Sequence, residues 1–132
     1  MRITVDTNIL VRAVVADDKK QARAAARLLK EAELIAVTLP CLCEFVWVLH
    51  RVYQFGQEDI FAALEALLNA HNVSVNRPAV DAGLAVLKAG GDFTDGLIAY
   101  EGNWLGGDTF ISFDKRAVSL LSSLGKQARL LQ

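Results

Sequence analysis

The chain has 132 residues, 53% of them apolar, and a formal net charge of −1. That length suits one domain with a substantial core. The near-neutral charge excludes a global attraction to nucleic acid, so any RNA or DNA contact needs a local basic patch. No apolar run approaches the roughly 18 residues of a membrane span, which excludes an integral membrane protein of the helical kind.

Read from the N-terminus, the periodicity predicts a strand over 2–6, helices over 8–15 and 18–32, a strand over 34–38 and a helix over 40–55. Further helices are expected over 57–71, 78–90 and 94–104, then a strand near 109–112, a helix over 115–124 and a last strand over 127–131. Strands alternating with helices predict an α/β fold with a mainly parallel sheet. Asp17 or Asp18 suits the cap of the second helix, and Pro40 and Pro78 suit first-turn positions that need no amide hydrogen. Gly56 and Gly125 suit helix stops at positive φ. The strand begins at once after Met1, leaving no room for a signal peptide. Cys41 and Cys43 match neither a zinc pair nor a disulfide framework, so two reduced thiols in a cytoplasmic protein are expected. The apolar fraction exceeds the usual value of about 45–50%, which points to surface buried against a second copy or another protein.

Four acids stand where chemistry would need them. Asp6 ends the apolar run Ile3-Thr4-Val5 and is followed by Thr7 and Asn8, and open α/β sheets place their sites at the carboxyl ends of strands. Glu44 lies in Leu39–Leu49, a helix apolar nearly all round and therefore expected to be buried. A Glu there either pairs with a cation such as Arg51, caps backbone amides, or serves a metal. Thr94 suits an N-cap, which puts Asp95 in the first turn, where the dipole favours an anion for stability or for ligand binding. Asp114 follows an apolar strand and precedes a helix; it is either a plain N-cap or a partner of Asp6. Converging, these carboxylates could not hold their charge without cations. Oxygen-only donors favour Mg²⁺ or Mn²⁺ over zinc, and His50 and His71 have no partner at ligand spacing. Carboxylate-held metal with open water positions suits phosphodiester hydrolysis.

Asp6-Thr7-Asn8 after the first strand, Glu44 before Phe-Val-Trp-Val-Leu, Asp92-Phe-Thr-Asp95-Gly-Leu-Ile-Ala, and Ser112-Phe-Asp114 before Lys-Arg together resemble the PIN-domain nucleases. They most closely resemble the VapC toxins of type II toxin–antitoxin pairs. The resemblance implies a three-layer α/β/α sandwich over 1–132, an acidic site for Mg²⁺ or Mn²⁺, and endonucleolytic cleavage of RNA. It makes Asp6, Glu44 and Asp95 the core acids and Asp114 the fourth, with Asp92 as an auxiliary ligand. Asn8 would orient a carboxylate or the attacking water, and Thr7 or Ser112 would supply a hydroxyl; the family often has Thr where Ser112 stands. It further implies a homodimer and a VapB-type antitoxin that wraps the toxin and blocks the site with a basic side chain. Trp47, Val48, Leu49, Tyr53, Phe55 and Phe61 are either core or the lining of such a groove.

Lys19, Arg23, Arg27 and Lys30 fall on one face of the helix over 18–32, opposite Ala22, Ala25, Ala26 and Leu29. The stripe is either a solvated face or a rail for RNA phosphates, with Arg12, Lys115 and Arg116 nearer the acids. Three other readings share parts of this pattern. A PIN-like module that binds RNA or protein without cutting normally lacks one or more acids. A receiver domain wants paired acids after the first strand, and a haloacid-dehalogenase-type phosphohydrolase wants a second Asp where Asn8 stands.

Overall fold

The computed structural model describes residues 1–132 as two compact units, Met1–Asn76 and Arg77–Gln132. In the first, three parallel strands lie in the order β1 (Arg2–Thr4), β2 (Leu34–Ala36), β3 (Val73–Ser74). Each crossover uses a pair of helices: α1 (Thr7–Val14) with α2 (Lys19–Glu31), then α3 (Leu39–Arg51) with α4 (Gln57–Asn69). The strands are short because polar caps end them. Asp6 and Thr38 hold extended backbone and cap α1 and α3, while Val5 and Val37 extend the ladder by one bond each, to Ala36 and Ser74. Val5, Leu10, Val11, Ile35, Val37, Leu42, Phe45, Leu49, Ile60 and Leu64 are buried in this unit. Asn72 is buried as well, and its amide donates to the carbonyls of Leu29 (2.8 Å) and Ala32 (2.9 Å), closing the end of α2.

The second unit holds α5 (Arg77–Lys88), α6 (Phe93–Trp104), β4 (Phe110–Ser112), α7 (Lys115–Ser123) and β5 (Ala128–Leu130). β4 and β5 pair in parallel, and α7 packs on both. α5 and α6 cross closely at two glycines. A Cβ on Gly96 would stand 2.5 Å from the Ala82 carbonyl oxygen and 2.7 Å from Gly83 Cα, and one on Gly83 would collide with Leu97 and Phe93. Removing both side chains lets the backbones approach, and Val80, Phe93 and Leu97 are buried beside them.

The alternating order and the parallel pairing agree with the expectation from sequence, and four local expectations need correction. β3 was not expected, because a two-residue strand leaves almost no periodicity to detect. α3 ends at Arg51 instead of running to 55; Phe55 N–H returns to Leu49 C=O (2.9 Å), and the positive φ falls on Gln54, at 56°. Gly56, at φ −75°, instead caps α4. Asp92, not Thr94, caps α6, its carboxylate accepting from Thr94 N–H at 3.0 Å. Gly125 does take positive φ, at 84°.

Candidate active site

In the first unit Asp6 sits where β1 hands over to α1, and its Oδ1 accepts from Thr7 N–H at 2.7 Å. Thr7 itself is buried, its hydroxyl donating to Cys41 Sγ at 3.8 Å. That position removes Thr7 from direct contact with any solvent-borne reactant and makes it a brace between α1 and α3. The Cys41 thiol has its pKa raised, first by burial and further by the charges of Asp6 and Glu44, against the stabilising Thr7 hydroxyl. Asp6 and Glu44 thus both lie within electrostatic reach of the Cys41 thiol. Glu44 is exposed, contrary to the buried position expected from the apolar helix. The physical reason is that α3 buries one arc, Cys41, Leu42, Phe45, Val46 and Leu49, and leaves Glu44 and Trp47 on the other. Glu44 therefore bears no burial penalty, and it makes no ion pair with Arg51.

In the second unit Ser112 Oγ accepts from Asp114 N–H at 2.9 Å, and Asp114 Oδ1 accepts from the amides of Arg116 (3.0 Å) and Ala117 (3.2 Å). Asp114 is thus an N-cap as well as a strand-end acid, with Oδ2 left open. Asp95 occupies the first turn of α6 and is half-buried. Its carboxyl pKa is raised by burial, then by the neighbouring charges of Asp92 and Asp114. The structure therefore brings Asp92 and Asp114 within electrostatic reach of Asp95.

The remaining candidates divide by what holds them. Asn8 is exposed and, with Ile9, Arg12, Gln21, Ala24, Ala25 and Leu28, lines a groove of about 530 Å³ between α1 and α2. Arg12 donates to Asp17 (3.1 Å), Gln21 (2.8 Å) and the Tyr53 hydroxyl (3.2 Å), and Tyr53 in turn donates to Asp17 at 2.9 Å. The hydrogen bond to Tyr53 and then the Asp17 charge raise the guanidinium pKa, so Arg12 is a fixed cation on the groove wall. Sequence reading missed this network; Asp17 beside Arg12 was a visible clue, whereas Tyr53 lies 41 residues away. Lys19, Arg23, Arg27 and Lys30 are all exposed, with Arg27 paired to Glu31 at 3.1 Å. Ala26, expected on the opposite face, is exposed too, while Ala25 alone of α2 is buried. Lys115 is exposed, and Arg116 donates to Gly90 C=O at 2.6 Å. Leu49 is fully buried and cannot line a groove, whereas Trp47 is 57% exposed. Cys41 and Cys43 form no disulfide.

The four ion pairs, Arg2–Glu33, Arg12–Asp17, Arg27–Glu31 and Arg77–Asp81, use none of Asp6, Glu44, Asp92, Asp95 or Asp114. Each unit thus carries an acid at a strand-to-helix junction, Asp6 in the first and Asp114 in the second, with a further acid on a helix, Glu44 and Asp95, and no cation paired to any of these. The model of the PIN domain matches residues 3–120, and the chain belongs to the PIN domain family. PIN domains are generally nucleases and typically use a divalent metal. No curated protein matches the chain. No helix is long and apolar enough to cross a membrane.

Proposed function

We propose that this chain is a metal-dependent endoribonuclease, the VapC-like toxin of a type II toxin–antitoxin pair. The observation that carries the reading is the uncompensated charge: Asp6, Glu44, Asp92, Asp95 and Asp114 enter no ion pair. Carboxylates left without cations at the carboxyl ends of parallel strands are suited to a bound cation. Their donors are all oxygen, which fits Mg²⁺ or Mn²⁺. No three His, Cys, Asp or Glu side chains are grouped to hold an ion in this structure, so the donor chemistry supports the metal and the present side-chain arrangement does not yet enclose it.

Asp6, Glu44, Asp95 and Asp114 are the residues that would hold the ion. When bound, it lowers the pKa of a water and polarises the phosphoryl oxygen. The chain's own residues do the positioning. Ser112 fixes the backbone of Asp114, the α7 amides fix one of its oxygens, and Thr7 locks α1 to α3 beneath Asp6. Asn8, exposed in the first turn of α1, would orient a carboxylate or the attacking water through its amide. Exposed Lys19 and Arg23 supply phosphate contacts. The VapB-type antitoxin is proposed to wrap the chain and block the acidic site with a basic side chain, and the homodimer to bury part of the exposed apolar surface.

The test is cleavage of total RNA by purified protein with Mg²⁺ or Mn²⁺, beside EDTA and Asp6→Asn controls. Asn can still accept from Thr7 N–H, so the cap and fold survive while the charge is lost. Discrete products that vanish in both controls are expected. The rival reading, a PIN-like module that binds RNA or protein without cutting, draws on the absence of a preformed three-donor group. Binding without products in a preparation free of antitoxin would select it.

A further inference from the structure

The step from β4 to α7 carries an aromatic ring that the second unit leaves in water. β4 and β5 pair with Ile111 opposite Arg129 and Ser112 opposite Leu130. Residues in register share a face, and side chains alternate along each strand. Ile111 and Arg129 are exposed, whereas Phe110, Ser112, Ala128 and Leu130 are half-buried on the side where α7 packs. Alternation carries Phe113 and Leu131 onto the same open face, and the bond from Leu131 N–H to Ser112 C=O (2.9 Å) extends the ladder through this step. Phe113 is 77% exposed. A phenyl ring at that exposure contributes almost nothing to the core.

Its neighbours are fixed. Ser112 holds Asp114 by one hydrogen bond, and Asp114 holds the first amides of α7 by two. The ring therefore stands on a rigid step, one residue from an acid of the proposed site. Arg129 shares its face and Lys115 follows it closely; both are exposed and neither enters an ion pair. A flat ring flanked by unpaired cations, beside a site for a phosphodiester, matches one chemistry: an unpaired base stacks while phosphates meet the cations. A protein-docking patch would need a wider apolar area than the half-exposed Ile111 and Leu131 add.

We infer that Phe113 stacks on an unpaired nucleobase of the substrate beside the cleaved phosphate, with Arg129 contacting the neighbouring backbone. This rests on the ribonuclease reading above. Stacking accepts every base, so Phe113 sets preference for unpaired RNA over duplex instead of a fixed sequence.

The experiment uses a short single-stranded RNA that the unmodified protein cuts, with kcat and KM measured for it, Phe113→Ala and Phe113→Tyr. A second set of substrates has an abasic nucleotide at each position flanking the cut. Phe113→Ala is expected to raise KM between about five- and a hundredfold, from the usual worth of one stacked base, with Phe113→Tyr near the unmodified value. One abasic substitution should raise KM for the unmodified protein by a similar factor and leave Phe113→Ala unaffected. Equal KM for unmodified protein and Phe113→Ala, or an abasic penalty of the same size in both, would overturn the inference while leaving the nuclease intact. A changed oligomeric state in Phe113→Ala with unchanged KM would overturn it in favour of a protein interface. If the unmodified protein cuts no RNA, the ribonuclease reading falls and takes this inference with it.

Discussion

Gly96→Ala is expected to destabilise the protein, whereas Gly102→Ala, on the same helix, is expected to stabilise it. A Cβ at Gly96 would lie 2.5 Å from Ala82 O, 2.7 Å from Gly83 Cα and 3.0 Å from Ala82 C. Carbon contacts are most favourable near 3.5–4.0 Å, so α6 would have to retreat from α5 by roughly 1 Å. All three atoms are backbone, and no side-chain rotation relieves them. Overpacking of this kind costs about 1–3 kcal/mol, and the better helix propensity of Ala returns about 1 kcal/mol. The net loss is then up to about 2 kcal/mol. Unfolding entropy near 2.1 cal/mol/K per residue over 132 residues amounts to about 0.28 kcal/mol/K, so Tm should fall by up to about 7 °C. At Gly102 a Cβ meets nothing within 4 Å, and the same substitution should gain up to about 1 kcal/mol, or up to about 4 °C. Thermal and urea denaturation of both variants in EDTA make the comparison. A Gly96→Ala protein melting at or above the unmodified one, or both variants shifting the same way, would refute the close-crossing argument. Because Asp95 adjoins Gly96, Gly96→Ala is also expected to lose RNA cleavage below its own melting range, and Gly102→Ala to keep it.

Three further outcomes are expected. Asp95 has a raised carboxyl pKa from burial and from Asp92 and Asp114, so the folded chain keeps a proton there at pH values where the unfolded chain has lost it. Stability falls as pH rises from the ordinary aspartate range through that raised value. Asp95→Asn should therefore raise Tm at pH 7 and lose its advantage toward pH 3; an equal gain at both pH values would sink the electrostatic account. Mn²⁺ should raise Tm by mass action, about 2.7 kcal/mol at a hundredfold excess over Kd, and less in Asp6→Asn. Absence of any shift at millimolar Mn²⁺ would count against a metal site. Lys19→Glu combined with Arg23→Glu should weaken RNA binding and flatten its salt dependence, whereas an unchanged slope would leave α2 a merely solvated face.

What the sequence determined by itself is what depends on neighbours along the chain. Apolar runs broken by Asp-Thr-Asn and by Phe-Asp-Lys mark strand ends that become helix caps, because a short side-chain oxygen can satisfy amides one to three residues ahead without any tertiary help. Asp6, Asp18 and Asp114 all cap helices, and the order of strands and helices follows from the same local signals. Glu44 shows where locality stops. α3 is apolar on nearly every side, so its sequence does not say which arc is covered; packing against α1 and α4 buries the arc of Leu42, Phe45 and Leu49 and turns Glu44 outward. Arg12 acquires Tyr53 as a partner only because the turn after α3 meets α1, and Gln54 takes the left-handed turn because Phe55 bonds back to Leu49. The tertiary structure alone set the Gly83–Gly96 crossing beneath Asp95, since two glycines thirteen positions apart become a contact only when two helix backbones are pressed together.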